Sequence, residues 1–136
     1  MKRTVLFDLD GTLAMTSTDD WYDRDYREDH PRMPVVWLAR ALHRLGFRVV
    51  LFSGRKEHKR EQTETWLAWH RVPFVALHMR ADEDQRNDAI VKRELFDASG
   101  IAVDDVLFVV DDRPSVVAMW RALGLRVLDV NRRGAF

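Results

Sequence analysis

The sequence predicts an α/β protein built on a parallel, doubly wound sheet, and three observations carry that expectation. Apolar runs bounded by turn residues alternate along the chain with segments of helical period, the pattern of strands joined by crossover helices. The run at 106–110 (Val-Leu-Phe-Val-Val) is apolar without a break, as a strand covered on both faces requires. Three such runs end in reactive groups: Asp8-Leu9-Asp10-Gly11-Thr12, Ser53-Gly54-Arg55 and Asp111-Asp112. Ligands of doubly wound sheets bind beyond the carboxyl ends of the strands, where strand order reverses. Topology should therefore bring all three groups to one edge.

Taken in order, Val5-Leu6-Phe7 forms a buried first strand that Gly11 and Thr12 terminate. Residues 13–33 are polar, acidic and aromatic by turns (Asp19, Asp20, Trp21, Tyr22, Asp23, Arg24, Asp25, Tyr26), with neither a helical nor a strand period. They predict a long loop or small flap beside the acidic corner, either functional or pinned to the body by Trp21 and Tyr22. Pro34 opens a helix over 34–45 with Trp37, Leu38, Ala41, Leu42 and Leu45 on one face and Gly46 as its stop. A second strand spans 48–52, and a second helix, 59–70, is charged early and apolar late (Trp66, Leu67, Trp69). A third strand at 74–78 precedes a helix over 87–98, whose stripe is Val91, Leu95 and Ala98 with Gly100 beyond it. After the fourth strand, 106–110, Pro114 opens the last helix, which turns Val116, Val117, Trp120 and Leu123 to the core and closes at Gly124. A fifth strand, 126–130, ends the pattern, and no repeat or low-complexity stretch occurs.

Composition bounds the function. At 136 residues, 46% hydrophobic and 32% charged, the chain suits one globular domain over 1–136 with a substantial core. The absence of cysteine excludes a disulfide framework and a thiolate zinc site. Asp8 cuts the first apolar run too early for a signal or membrane span, so a cytoplasmic protein is the default expectation. With 22 basic and 22 acidic residues, the chain is not one that coats nucleic acid through a broad basic surface, and a nucleic acid would be gripped at an end. Local basic clusters at 55–60 and 121–133 are most simply solvated faces.

The acidic corner carries the chemistry. Residues i and i+2 of a strand share a face, and two acids held so close repel unless a cation lies between them; hard oxygen ligands suit Mg2+. The Thr12 hydroxyl and neighbouring amides could hold an anion. Asp-Gly pairs also serve plain turns, but a tight Asp-x-Asp-Gly-Thr after an apolar strand favours chemistry. Added to it are Ser53, the pair Asp111 and Asp112, and Lys92 early in the third helix. A phosphoryl group needs its charge balanced by metal and lysine, its oxygens oriented by hydroxyl and amides, and an in-line nucleophile. Without a cysteine or a well-placed histidine, Asp8 is the natural nucleophile. Taken alone, Lys92 reads better as an i, i+4 surface partner of Asp88. His30, His43, His58, His70 and His78 lack metal-binding spacing, and Trp37, Trp66, Trp69 and Trp120 occupy core-type helical positions.

At these residues the chain resembles the haloacid dehalogenase superfamily of phosphotransferases, which presents Asp-x-Asp-Gly-Thr, a strand-end Ser, a Lys and a late acidic pair in this order. The resemblance covers nearly the whole chain. It implies a Rossmannoid three-layer fold with a five-stranded parallel sheet of order 3-2-1-4-5 and only a minimal cap at 13–33. It further implies that Asp8 forms a phosphoaspartate, that Asp10 protonates the leaving oxygen and later activates water, and that Thr12, Ser53, Gly54 and Lys92 bind the phosphate. Mg2+ would be held by Asp8, the main chain of Asp10 and Asp112, with Asp111 nearby. The segments Leu-Phe-Ser-Gly-Arg (51–55), Arg-Asn-Asp-Ala-Ile-Val-Lys (86–92) and Asp-Asp-Arg-Pro-Ser-Val-Val-Ala-Met-Trp (111–120) are more specific. They resemble the 3'-phosphatase domain of polynucleotide kinase/phosphatases, especially the phage type. That likeness casts Arg55, Arg80, Arg86 and Arg113 around the phosphate and the nucleic-acid end, with Asp88 bracing them, and points to removal of 3'-phosphate, with 2',3'-cyclic phosphate as a further substrate, in DNA or RNA repair beside a kinase or ligase.

Two departures stand out. Phage-type enzymes place an arginine just ahead of a Tyr-Asp pair in the flap, whereas Asp19 and Asp20 precede Trp21-Tyr22-Asp23 here; Arg24 and Arg27 are the residues that could compensate. No Gly-x-x-x-x-Gly-Lys-Ser/Thr loop occurs, which excludes 5'-phosphorylation by these residues. The chain is expected to be a free-standing phosphatase, as Met1-Lys2-Arg3 would suit, or one domain of a longer protein. Two rival readings stand beside this one: the same chemistry on a small molecule such as a nucleotide, disfavoured by the short flap, and a phosphoacceptor module, disfavoured because its adjacent acids would lie on the first strand.

Overall fold

Strand β1 (Thr4–Phe7) is buried along its whole length and sits at the centre of the sheet. A computed structural model describes residues 1–16 and 24–132. In it β1 pairs in parallel with β4 (Arg48–Lys56) on one side and β6 (Val106–Asp111) on the other, aligning Phe7 with Leu51 and with Val110. Strand β5 (Ala76–Arg80) adds beyond β4, and β7 (Val127–Asp129) beyond β6. The order is β5-β4-β1-β6-β7, which is the expected 3-2-1-4-5 when only the sheet strands are counted.

Alternation along β1 divides the core in two. Val5 and Phe7 pack with Val49 and Leu51 beneath α1 (Met33–Arg44) and α2 (Arg60–Trp69). Leu6 faces the opposite layer with Val50, Phe52 and Val109, against α3 (Asp88–Ser99) and α4 (Pro114–Ala122). Pro114 at the first turn of α4 and the left-handed Gly100 after α3 delimit these helices as their chemistry dictates. No helix among the described residues is long and apolar enough to cross a membrane.

Several expectations need correction. The face of α1 that packs on the sheet is Val35, Val36, Ala39 and Leu42, not the face of Trp37, Ala41 and Leu45; Trp37 is 58% exposed and Leu45 75%. Apolar residues surround that helix almost completely, so its period left the core side open, and the sheet accepts the compact β-branched pair. In α2, Trp66 and Leu67 are buried while Trp69 is 62% exposed. The buried stripe of α3 is Val91, Lys92 and Phe96, with Leu95 half-buried and Ala98 exposed. Strand β4 runs on to Lys56, and β5 starts two residues later than expected. The flap region is not free of regular structure: β2 (Ala14–Met15) pairs antiparallel with β3 (His30–Pro31), and a 3-10 turn spans Tyr26–Glu28. Asp19, Asp20, Trp21, Tyr22 and Asp23 lie outside the described residues.

Trp120 couples the second core layer to the reactive edge. Its ring meets Phe52 at 5.8 Å and Phe96 at 5.6 Å, edge-on in both cases, and its indole N–H donates to Asp111 Oδ2 at 3.1 Å. Trp120→Phe removes a hydrogen bond to a buried carboxylate, worth about 1.5–3 kcal/mol, and leaves unfilled volume besides. Urea unfolding should show a loss of at least about 2 kcal/mol; an unchanged midpoint would mean that the indole contact carries no stability.

Candidate active site

Where β1 ends, the chain turns sharply. Gly11 has φ +83°, and a Cβ there would collide with the Asp112 carboxylate, so only glycine allows β1 and β6 to bring their acids together. Asp8, at the end of β1, accepts from Lys92 Nζ at 2.6 Å and from the Thr12 hydroxyl at 3.0 Å. That hydroxyl also lies 3.0 Å from Asp112 Oδ1, so its single proton is shared between two carboxylates. Lys92 reaches Asp111 at 3.3 Å, and Asp111 is further held by the Trp120 indole and by the backbone N–H of Asp112 at 2.8 Å.

Three buried carboxylates thus face one ammonium. Asp8, Asp111 and Asp112 each offer an oxygen within 4.8 Å of the others. Burial first, and then the charge of Asp111, raise the Asp8 pKa well above the usual carboxylate range, with Lys92 opposing; burial raises Asp112 as well. Burial works against the Lys92 charge, but Asp111 and Asp8 outweigh it and raise the pKa of the ammonium. With all three carboxylates ionised the surplus would be two negative charges, which one divalent cation would cancel. All the donor atoms are hard carboxylate oxygens, so the group fits a cation of the Mg2+ class.

Asp10 lives in the opposite field. Arg55 grips it in a fork, Nε to Oδ2 at 3.0 Å and Nη2 to Oδ1 at 2.8 Å, and Arg24 Nη2 adds a third donor at 2.9 Å. Burial alone would raise its pKa, but Arg55 and Arg24 more than offset this and lower it. Behind the two arginines lies buried Asp29, which accepts from Arg24 Nε at 3.0 Å and Arg55 Nη2 at 3.1 Å. Its carbonyl accepts the Trp66 indole N–H at 2.8 Å. The Tyr26 ring supports the pair, 3.9 Å from the Arg55 guanidinium carbon and 4.4 Å from that of Arg24.

The remaining groups form the walls. Ser53 is wholly buried and its hydroxyl accepts the Arg55 N–H at 3.1 Å. Arg80 donates to the Gly54 carbonyl at 2.8 Å, to the carbonyls of Asp84 and Arg86, and to the Asp88 carboxylate; it staples the 81–87 loop to β4. Asp88 also receives Arg113 at 2.5 Å and would lie 2.5 Å from any Cβ at Gly54. Arg86 is exposed and held by Asp84 and Glu94. Between these walls opens a cleft of about 720 Å³, lined by the buried Asp8, Arg55, Lys92 and Asp112, by Asp10, and by Lys56, Lys59, Arg86 and Arg113.

The structure therefore gathers Asp8, Asp10, Ser53, Gly54, Arg55, Lys92, Asp111 and Asp112 at one edge, with Arg80, Asp88 and Arg113 on one wall and Arg86 at the rim. Lys92 pairs with Asp8 and Asp111, not with Asp88 as a surface ion pair. The Asp10 carboxylate lies with the arginines, apart from the other three acids. The wholly buried Thr12 spends its hydroxyl on Asp8 and Asp112. Of the two flap arginines, Arg24 enters the site, while Arg27 stays at the surface on Asp25. Sequence reasoning did not single out Tyr26 or Asp29 as site residues. Neither belongs to a motif, and only the return of the flap onto α2 brings them in.

Comparison with known proteins gives the family and the fold. The family model for the polynucleotide kinase PNKP phosphatase domain matches residues 2–136. A protein of Autographa californica nuclear polyhedrosis virus, described as a bifunctional polynucleotide kinase/RNA ligase, is 34% identical over 125 residues, which is 89% of this chain and 18% of that protein. A chain of the solved Pnkp1/Rnl/Hen1 RNA repair complex superposes with a TM-score of 0.92 at 37% identity, covering 99% of this chain and 44% of the other. The D,D-heptose 1,7-bisphosphate phosphatase of B. bronchiseptica shares the fold at a TM-score of 0.66 and 13% identity, over 92% of this chain and 78% of its own. This chain thus spans less than half the length of the two more similar relatives. It belongs to the family of polynucleotide kinase PNKP phosphatase domains, within the haloacid dehalogenase phosphatases.

Proposed function

We propose that the chain is a Mg2+-dependent polynucleotide 3'-phosphatase. It removes 3'-phosphate from DNA or RNA ends, takes 2',3'-cyclic phosphate as a further substrate, and acts through an aspartyl-phosphate in nucleic-acid end repair beside a kinase or ligase. The observation that carries this reading is the split between the two acids of the Asp-x-Asp motif: Asp8 lies among carboxylates and a lysine, Asp10 between two arginines. Environments that drive two neighbouring carboxyls apart assign them different roles.

Asp8 is the nucleophile. One of its oxygens attacks phosphorus, the P–O3' bond breaks, and the electron pair leaves on the 3'-oxygen. Asp10 supplies the proton that oxygen needs. In the substrate-free arrangement Arg55 and Arg24 hold Asp10 as a carboxylate; an arriving phosphate competes for those guanidinium groups, relaxing their grip and letting Asp10 carry a proton. In the second half-reaction Asp10 takes a proton from water, whose oxygen attacks the phosphoaspartate and releases inorganic phosphate, regenerating Asp8. Ser53, the Gly54 backbone and Lys92 hold the phosphoryl oxygens, and Thr12 keeps Asp8 and Asp112 in register. Asp8 and Asp112, with Asp111 beside them and the Asp10 main chain, would hold Mg2+, which when bound neutralises the surplus carboxylate charge and polarises the phosphoryl group.

The direct test is phosphate release from a short oligonucleotide ending in 3'-phosphate, set against the same strand with 5'-phosphate and against a free 3'-nucleotide. Metal-dependent release from the 3' end is expected; activity confined to the free nucleotide would move the protein to small-molecule substrates. Asp8→Asn should abolish turnover. Asp10→Asn should lower it by about 10²–10⁴-fold, the usual worth of a positioned acid-base group, with phosphate accumulating on Asp8 if the first step survives. Unchanged turnover in Asp10→Asn would sink the mechanism.

A further outcome concerns pH. Asp8 and Asp112 have raised pKa values in the metal-free fold. Above about pH 4, the unfolded carboxylate value, the native state then holds more protons than the unfolded chain, so stability falls as pH rises toward the folded pKa values. The melting temperature of the metal-free protein should decline through that window, and millimolar Mg2+ should reverse the decline, more strongly at higher pH. A melting curve indifferent to Mg2+ at neutral pH would contradict metal binding by the acidic cluster.

A further inference from the structure

Strand β4 does not stop at the Ser53-Gly54-Arg55 corner. It continues to Lys56 and enters a 3-10 turn, Glu57–Lys59, so the strand that positions Ser53 also lays two lysines along the cleft wall. Their surroundings set them apart. The arginines of the cleft and Lys92 are each engaged by carboxylates, whereas the ammonium groups of Lys56 and Lys59 make no hydrogen bond or ion pair with any described residue. Both are half-buried, and Lys59 lies over the face of Tyr26, 5.7 Å from its centre. The turn that carries them is fixed, because Asp82 accepts the His58 backbone N–H at 2.8 Å and contacts its ring nitrogen at 3.0 Å. Asp82 and Asp25 act on Lys56 and Lys59 only through space, so two half-buried ammonium groups without a hydrogen-bonded counterion among the described residues line the cleft, a setting that favours an anion.

We infer that Lys56 and Lys59 form a subsite for the internucleotide phosphates immediately upstream of the terminal nucleotide of a single strand. The register with β5 slips at this corner, Ser53 pairing with Met79 and Lys56 with the next residue, Arg80, so Lys56 stays close to the strand end that carries Ser53. Both lysines line the same cleft as Asp8 and Asp10, so a strand seated with its terminal phosphate at Asp8 has them within its path. The inference rests on the end-phosphatase reading and gives it a physical basis for choosing a polymer end over a mononucleotide. In a chain of 22 basic and 22 acidic residues, such a preference has to come from a local pair of charges and not from a general basic surface.

The test compares kcat/KM for a single-stranded oligonucleotide ending in 3'-phosphate with kcat/KM for a nucleoside 3'-monophosphate, in wild type and in the double variant Lys56→Gln/Lys59→Gln, with melting curves to verify folding. The variant should lose about tenfold or more on the oligonucleotide, chiefly in KM, and much less on the mononucleotide. Its log–log dependence on salt should flatten by about 1.4, since each single-strand phosphate contact contributes about 0.7. Lys56→Arg/Lys59→Arg should restore the wild-type ratio. Equal losses on the two substrates, or no loss on either, with wild type still preferring the oligonucleotide, would overturn the subsite alone. A wild type with no preference for the oligonucleotide would overturn the end-phosphatase reading and the subsite with it.

Discussion

Burying three carboxylates around one ammonium at the end of a central strand is the constraint on which the rest of this structure depends. Buried charge is costly unless it is paired and hydrogen-bonded, and the fold meets that requirement from every element near the site. Lys92 comes from α3, the Thr12 hydroxyl from the turn after β1, the Trp120 indole from α4, and an amide from the end of β6. Gly11 supplies the close approach, since any side chain there would displace Asp112. Among the described residues no buried side-chain nitrogen or oxygen lacks a hydrogen-bond partner, so the charge imbalance is not a packing failure. It is an excess of acidic groups in a fully satisfied setting, held in check by raised pKa values in the metal-free fold, which a bound divalent cation would complete.

The flap gains significance from the same electrostatics. Asp8 and Asp10 are two residues apart, yet one is pushed up by burial and carboxylates while the other is held down by guanidinium groups. A strand end can separate such neighbours because the chain leaves the pleat there. Two arginines kept this close would repel, and Asp29 and the face of Tyr26 offset that repulsion. Both come from the flap, and the Trp66 indole ties Asp29 to α2. The flap is therefore joined to the body through the very charges that set the state of Asp10, and a minimal cap of this kind has an electrostatic task as well as a covering one.

How much of this could be read in the sequence follows from what each signal measures. Continuous apolar runs report strands covered on both faces, so β1, β4 and β6 were legible, and with them the three strand ends that meet at the site. Helical period reports that a face is apolar but not which of two faces the sheet will take, which is why Trp37 and Leu45 were misassigned to the core of α1. Lys92 was a candidate cation from its place in the chain, but its spacing from Asp88 favours a surface pair, and the resemblance was what tipped it toward the site. Asp29 and Tyr26 carried no signal as site residues: they lie in a segment without period, Asp29's partners Arg55 and Trp66 are 26 and 37 residues away, and Tyr26 meets the same Arg55. Such contacts are decided by tertiary closure and leave no mark in local sequence.

The charge pattern of the cleft bears on how a phosphate could be recognised there. A terminal phosphate entering the base of the cleft meets cations already committed to Asp8, Asp10 and Asp88, so binding proceeds by exchange: phosphate oxygens replace carboxylate oxygens on the same donors. Exchange gives geometric selectivity, because a guanidinium fork accepts either planar partner only in a defined orientation, but it adds little net attraction. On the proposed reading, net attraction would come from the acidic cluster that would recruit a metal and from the two lysines beyond Ser53, whose ammonium groups have no hydrogen-bonded counterion among the described residues. A protein of zero formal charge can in this way discriminate strongly at an end while remaining indifferent to the bulk of a nucleic acid.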